Sequence, residues 1–315
     1  MATQTAPLPK PPGLSRKTVE ALTGYAFIVP YLIIAVIFTY LAMIYTFYIS
    51  FTDLKLLNEP HLIGLKNYTQ IFTGTRPQDK IFWTALANTL EYSVVVVTCQ
   101  TALALFLAVV LNSKIKGRQF FRVAWYAPSV TSSVVISLVF IWVFQSTGIL
   151  NFLMVQLFGW AGFHPIGWLT DAGAHTALPA LMLLNISTTA PTFMIFFLAA
   201  LQDIPEDIYE AARLDGAIGF RLFRYITVPM LRPIIFLVVV LGTIGTLQLF
   251  DQVNIMTAGG PLDQTTTINY LIYTRAFGNQ ISSMSSASAM AVILFVIIFA
   301  LFLVQRRVLG QDNKA

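Results

Sequence analysis

Charge is what this 315-residue chain has least of. Asp, Glu, Lys and Arg make up 10% of it, against 57% hydrophobic residues, where a soluble domain carries roughly 25% charged residues. So few charges cannot coat a water-facing surface, and the exterior must face lipid. One cysteine, Cys99, sits inside an apolar run. It excludes a disulfide framework and a Cys-based metal site, and reads as a small buried hydrophobe. The three histidines, His61, His164 and His175, lie far apart without ligand spacing, so no metal site is expected. No G-x-x-x-x-G-K-S/T phosphate loop occurs, so the chain carries no ATPase of that kind. The net charge of +5 sits in short clusters between apolar runs. That is not the single basic face that would point to nucleic acid. A membrane-embedded enzyme would need converging His, Asp, Glu or Ser groups in the apolar runs, and only isolated ones occur. A standalone secondary transporter would usually need more spans and an internal repeat, and no clear repeat is visible.

What is present is apolar length. A bilayer core needs about 20 mostly apolar helical residues, and six runs supply them. They are Tyr25–Ser50, the stretch between Lys80 and Lys114 interrupted only by Glu91, Val123 to about Gln145, Thr176–Leu201, Pro233–Phe250, and Ala287–Gln305. The first is too long for a signal-peptide core and no small-residue cleavage site follows it, so it is expected to be retained. The expected fold is therefore an all-α membrane protein with six transmembrane helices over residues 21–310. Residues 1–20 form a cytoplasmic tail, disordered on its Pro, Ala and Thr content over Met1–Gly13, and residues 311–315 a second short tail. Pro30, Pro128, Pro179 and Pro191 lie in or near spans and read either as plain kinks or as transporter-style breaks.

Positive residues set the orientation. With a cytoplasmic N-terminus, only Lys55, Lys66, Arg76, Lys80 and Arg275 fall outside, and the other 14 of the 19 Lys and Arg fall inside. Both termini are then cytoplasmic, as is the 203–229 connection between the fourth and fifth spans. In that connection Asp203 reads as a helix cap, with Pro205 in the first turn and Glu206 three residues after the cap. Glu206, Asp207 and Glu210 fall early and Arg213 late, which suits the helix dipole. Gly216 reads as a stop and Gly219 as a second bend before an amphipathic stretch, Phe220–Ile226, that leads to Pro229. Ala211 and Ala212 form a small face open to close approach by another protein. Spacing alone leaves an interfacial helix without a partner equally open.

The segment resembles the EAA loop of ABC importer permeases: Glu-Ala-Ala, three residues, Gly, nine residues, Ile-x-Leu-Pro. This chain has Glu210-Ala211-Ala212, Gly216, Ile226 and Pro229, with Val228 in place of the leucine. Gly64-Leu65-Lys66-Asn67-Tyr68, Phe82–Leu90, Thr257-Ala258-Gly259-Gly260-Pro261, Thr265-Thr266-Thr267 and Tyr270–Tyr273 resemble stretches of the maltose-type carbohydrate-importer permeases, in order, from about Tyr25 to Arg307. The likeness is to the type of the maltose system's larger permease, without its extra N-terminal spans or large external insertion. The resemblance implies the type I ABC importer permease fold, with the EAA loop as a cytoplasmic coupling helix. It assigns coupling to Glu210, Ala211, Ala212, Asp215 and Gly216. It implies a sugar permease in a bacterial or archaeal cytoplasmic membrane. The expected partners are a second similar permease, two ATP-binding subunits and an external sugar-binding protein. ATP and Mg are expected on the ATPase partner and no cofactor on this chain. A permease for glycerol-phosphate-type or other polar solutes shares these motifs and stays open.

The residues agree with a neutral substrate. The spans hold no Lys or Arg at depth, but do hold Asn185, Ser187, Thr188, Thr189, Gln248 and Asn254 near Tyr and Phe. Sugars offer hydroxyls and apolar ring faces that suit such groups, although Ser and Thr commonly bond their own helix backbone. Asp251 is the least comfortable residue to expose to lipid and is a candidate on that ground, with an interfacial carboxylate as the alternative. Glu91 reads rather as an interfacial group at the outer end of its span. The expected substrate path is Gln248, Asp251, Gln252 and Asn254, faced by Asn185 and Thr188.

Overall fold

The structure, a computed structural model, describes residues 16–54, 59–75, 79–113, 116–278 and 283–310. Among them every regular element is helical, and the β geometry is an isolated antiparallel bridge between Thr52 and Leu62. Of the expected tails, only residues 16–20 are described, and they are helical rather than disordered. Helix α1 (Arg16–Ala35) runs through a π turn, Val36–Tyr40, into α2 (Leu41–Ile49). Pro30 lies inside α1 without ending it. After α3 (Lys66–Thr73) come α4 (Lys80–Asn112), α5 (Arg118–Tyr126), α6 (Ser133–Val143), α7 (Ile149–Phe158) and α8 (Ala177–Gln202). The connection that follows holds α9 (Glu206–Leu214), α10 (Phe220–Leu222), a π turn at Phe223–Thr227 and α11 (Val228–Met230). The chain closes with α12 (Arg232–Leu247), α13 (Asp251–Met256), α14 (Ile268–Phe277) and α15 (Met284–Leu309).

Among the described residues, five helical stretches are long and apolar enough to cross a membrane: Glu20–Ile49, Lys80–Asn112, Ala177–Gln202, Arg232–Met256 and Met284–Leu309. The expected third span is different. It is not one helix over Val123–Gln145 but two, α5 and α6, meeting at 101°. Pro128 sits in a 3-10 turn, Ala127–Val130, and Thr131 and Ser132 are extended. Pro removes a backbone donor, and Ser and Thr offer the backbone competing bonds. Ser129 Oγ donates to the Tyr126 carbonyl at 2.7 Å. Hydropathy alone does not register such a break.

α4 is the hub, packing against α8, α12 and α14. Its buried positions Ala85, Thr89, Tyr92, Val96, Gln100, Ala104, Leu107 and Leu111 recur every three or four residues and form one stripe. Cys99 lies off that stripe and is exposed, so the expectation of a buried cysteine is corrected. At 33 residues the helix is about 50 Å long, well beyond the roughly 30 Å hydrocarbon core. Lipid tails are as apolar as Leu, so helices here associate by close packing and hydrogen bonds. Accordingly Ala104 and Ala108 of α4 meet Ala190, Met194 and Phe197 of α8 and Val238 of α12 in one buried cluster. Tyr92, Val96, Phe144, Leu181, Leu184 and Val253 form a second, and Phe82, Ala85, Leu247, Ile268, Met290 and Leu294 a third.

The expected fifth span, Pro233–Phe250, lies within the stretch Arg232–Met256, inside which α12 ends at Leu247. Asp251 then opens α13, with its carboxylate in the first turn, where the helix dipole favours negative charge.

Candidate functional site

Two places bring polar chemistry together. The first is a seam along the buried stripe of α4. The Tyr92 hydroxyl donates to Gln252 Oε1 of α13 at 3.2 Å, with the Asn185 side chain of α8 beside it. One residue on, Ser93 Oγ and Thr246 Oγ1 lie 2.8 Å apart. Two turns further, Gln100 Oε1 accepts from Thr189 Oγ1 at 2.6 Å, and Gln100 Nε2 is buried without a hydrogen-bond partner among the described residues. Opposite Gln100 stands Gly242 of α12, where a Cβ would sit 2.4 Å from that nitrogen. Gln305 of α15 closes the line, donating to Thr243 Oγ1 at 2.7 Å. The seam thus joins the four longest packed helices by uncharged hydrogen bonds. Tyr92→Phe removes one hydroxyl and leaves the buried Gln252 amide oxygen short of its donor. The expected loss is about 1–3 kcal/mol, read as a lower midpoint of thermal unfolding in detergent.

The six path residues divide between two surroundings. Asn185 and Gln252 are buried and joined through Tyr92. Gln248, Asp251 and Asn254 are exposed, three residues apart along one face of the α12–α13 break. The Gln248 carbonyl there accepts from Asn269 Nδ2 at 2.9 Å. Thr188 is half-buried, and its hydroxyl bonds its own helix, to the Leu184 carbonyl at 3.0 Å. Sequence reading missed Tyr92, Ser93, Gln100 and Thr246. Gln100 did carry a signal, as a lone amide amid about 20 apolar residues. Tyr92 carried none, because a tyrosine in a span is ordinary.

The stretches Gly64–Tyr68, Phe82–Leu90 and Thr257–Tyr273 form the scaffold above the seam. Asn67 Nδ2 donates to the carbonyls of Ser50 and Thr52 at 2.9 and 2.7 Å. Asn88 Nδ2 reaches the carbonyls of Asp263 and Thr266 at 2.9 and 3.0 Å. Thr89 Oγ1 accepts from Ile268 N. Gly259 has φ +85°, and a Cβ there would meet Thr266 Oγ1 at 2.6 Å. Burial, then the neighbouring Tyr273 and Asp263, pushes the Tyr270 phenol up, which keeps its proton in place to donate to the Ala258 carbonyl at 3.0 Å.

The second place is the α9 connection. Pro205, not Asp203, precedes the helix, and Asp203 instead closes α8. The residue before a proline is pushed out of helical geometry, which breaks the chain at Ile204 and sets the later start. Glu206 and Asp207 fall in the first turn and Arg213 in the last. The end is a Schellman turn: Ala217 N donates to the Ala212 carbonyl at 2.9 Å, Gly216 N donates to that of Arg213 at 3.0 Å, and Gly216 takes φ +80°. The expected small face is only half there, since Ala211 is exposed while Ala212 is buried. What stands out instead is apolar. Leu214 is 90% exposed, and Ile218, Phe220 and Tyr225 are exposed beside it.

Comparison with known proteins bears on both places. The family model described as "Binding-protein-dependent transport system inner membrane component" matches residues 100–311. The trehalose/maltose transport system permease protein MalF of Thermococcus litoralis is 31% identical over 92% of this chain and 94% of its own length. The lactose transport system permease protein LacF of Rhizobium radiobacter is 38% identical over 71% of this chain and 75% of its own. Among solved structures, a chain of a bacterial alginate ABC transporter, in complex with an alginate pentasaccharide-bound periplasmic protein, superposes with a TM-score of 0.76. It is 24% identical and the match covers 93% of this chain and 96% of that one, a likeness of fold.

Proposed function

The chain belongs to the family of binding-protein-dependent transport system inner membrane components, and on that premise we propose that it is one permease of a heteromeric, ATP-driven carbohydrate importer. The match over residues 100–311 carries this reading; it takes in the α9 connection and the seam from Gln100 onward, while Tyr92 and Ser93 lie before it. Relatives named for trehalose/maltose, lactose and arabinooligosaccharides support sugar as the cargo. In this reading the chain crosses the membrane six times, with the bent α5–α6 segment as the third crossing and both termini cytoplasmic. The α9 helix is the EAA coupling helix. It docks on an ATP-binding subunit that carries ATP and Mg, two copies of which serve this chain and a second permease. An external binding protein delivers the sugar. ATP binding closes the ATPase pair and opens the spans outward, and hydrolysis resets them. Glu210, Ala211, Asp215 and Gly216 shape the docking surface, and Ala212, buried, holds the helix in place behind it.

Gln248, Asp251 and Asn254 line the path in this reading. Polar side chains at that depth cannot face hydrocarbon without cost, and the sugar's hydroxyls meet them. Asn185 and Gln252, with Thr188 nearby, form the firmer wall behind. Proteoliposomes holding the purified assembly test the function directly. Labelled oligosaccharide should accumulate only with ATP inside and binding protein outside. Accumulation on an ion gradient alone would replace the importer by a secondary transporter. Asp251→Ala should lower uptake about tenfold or more without changing membrane abundance, because its side chain is exposed. Normal uptake by that variant would remove Asp251 from the path.

A further inference from the structure

We propose that α5 is an interfacial helix that binds the anionic headgroups of the surrounding phospholipid. The inference needs only that the chain crosses a membrane, and stands apart from the substrate and from ATP coupling.

Three observations lead there. The first is direction. The stretch Arg118–Val130 makes 101° with Ser133–Val143. α6 is wholly apolar in sequence (SVVISLVFIWV) apart from two serines, one of which bonds its own backbone. With α6 entering the bilayer along its normal, a helix at right angles to it lies in the plane of the interface.

The second is the distribution of side chains. Arg118, Gln119 and Arg122 share one side of α5, and Phe120, Val123, Ala124 and Ala127 the other. Arg122 turns inward. Its Nη2 donates to the carbonyl of Leu111 at 3.0 Å, where the last turn of α4 leaves acceptors open and the helix dipole favours a cation. The apolar side is exposed, Phe120 by 71% and Val123 by 65%, and the aromatic Phe121, Trp125 and Tyr126 are exposed around the rest of the helix. A basic face and an apolar face with aromatic residues are the marks of a helix lying in a headgroup region.

The third is charge. From Tyr92 to Thr170 the sequence contains no Asp or Glu, yet it holds Lys114, Lys116, Arg118 and Arg122. Among the described residues none of Lys116, Arg118 and Arg122 pairs with a carboxylate. Lys116 and Arg118 are exposed at the start of α5. An anionic lipid phosphate supplies the missing counter-charge, and its acyl chain covers Phe120 and Val123. Because Arg122 clasps the end of α4, a headgroup held there also fixes the end of the helix that carries Tyr92 and Gln100.

The test uses the full chain, with the subunits that co-purify, in nanodiscs of phosphatidylcholine alone or mixed equally with phosphatidylglycerol. In a Cys99→Ala background, a spin label on Val123→Cys should collide freely with oxygen and poorly with a water-soluble nickel chelate. A label open to the chelate, or closed to both, would place α5 in water or under a protein partner and overturn the proposal. Phosphatidylglycerol affinity, titrated by native mass spectrometry, should fall roughly fivefold for each cation removed in Lys116→Gln and Arg118→Gln, with Arg118→Lys retaining it. Unchanged affinity in the double variant would equally overturn it, whatever the position of the label. ATPase content and uptake decide the importer reading separately.

Discussion

Replacing Leu214 with lysine is expected to strip the ATP-hydrolysing subunit from the assembly and abolish ATP-driven uptake, with the amount of chain in the membrane unchanged. Leu214 ends α9 and is 90% exposed, so it contributes almost nothing to the chain's own packing. A leucine fully buried against a partner contributes about 1.5–3 kcal/mol. A lysine forced into the same contact adds the cost of desolvating an ammonium group. Together these lower the affinity by well over tenfold. Ile218 and Phe220, exposed on the far side of the Schellman turn, extend the same apolar surface.

Two companions separate docking from folding. Gly216→Val keeps Leu214 but puts a branched side chain at φ +80°, where nothing lies within 4 Å of the added carbon. Its cost is the left-handed backbone itself, about 1–2 kcal/mol. It should loosen the turn and weaken ATPase retention less than Leu214→Lys does. Ala212→Leu crowds the buried face of α9 and should lower abundance first. The measurement is the ATPase content of tagged chain extracted from native membranes in mild detergent. A Leu214→Lys variant with full ATPase content and normal uptake would remove the α9 tip from the docking surface.

Much of this was legible in the sequence because membrane insertion writes its main constraint as length. A run such as Pro233–Phe250 or Ala287–Gln305 must be helical to satisfy its backbone in lipid, and the structure places helices in both. What periodicity and hydropathy cannot show is direction. Val123–Gln145 carries no charge and is mostly apolar, yet Pro128 and the Thr131–Ser133 run turn it through 101°. The acidic start and glycine stop of α9 follow from local chemistry and were readable. The start at Glu206 was not, because Asp203 is a sound cap by type and the proline two residues later decides otherwise. The seam is harder still. Asn185 and Gln252 stand out as polar residues in apolar surroundings, but nothing local says that Tyr92, on a third helix, joins them. Such pairings are set by which stripes face each other, and that is a property of the whole bundle.

The same stripe carries the largest interior effect. Leucine at position 242 is expected to be severely destabilising, and alanine there moderately so, with the alanine defect relieved by Gln100→Ala. A Cβ on residue 242 lies 2.4 Å from Gln100 Nε2 and 3.6 Å from Val97 Cγ2. An amide at the end of a flexible side chain would ordinarily swing aside. Gln100 is 1% exposed and its oxygen is held by Thr189 at 2.6 Å, so swinging breaks that bond inside an apolar bundle. Overpacking of this kind costs about 1–3 kcal/mol for a single added methyl, and more for leucine. Gln100→Ala removes the obstructing amide together with its unpartnered donor, leaving Thr189 its bond to the Asn185 carbonyl at 2.7 Å. The Gly242→Ala and Gln100→Ala changes should therefore couple by about 0.5–3 kcal/mol, measured as unfolding midpoints of the two single variants and the double in detergent. Strict additivity would show that α4 and α12 separate to admit the methyl rather than meeting through Gln100. Coupling would mean that these helices are held at one spacing by an amide lying on a glycine. Any rocking of the spans during transport must then either carry α4 and α12 together or break the Gln100–Thr189 bond. Uptake by Gln100→Leu, which cannot make that bond, distinguishes the two: motion as a unit leaves uptake intact, and a bond that must break and re-form makes it fall.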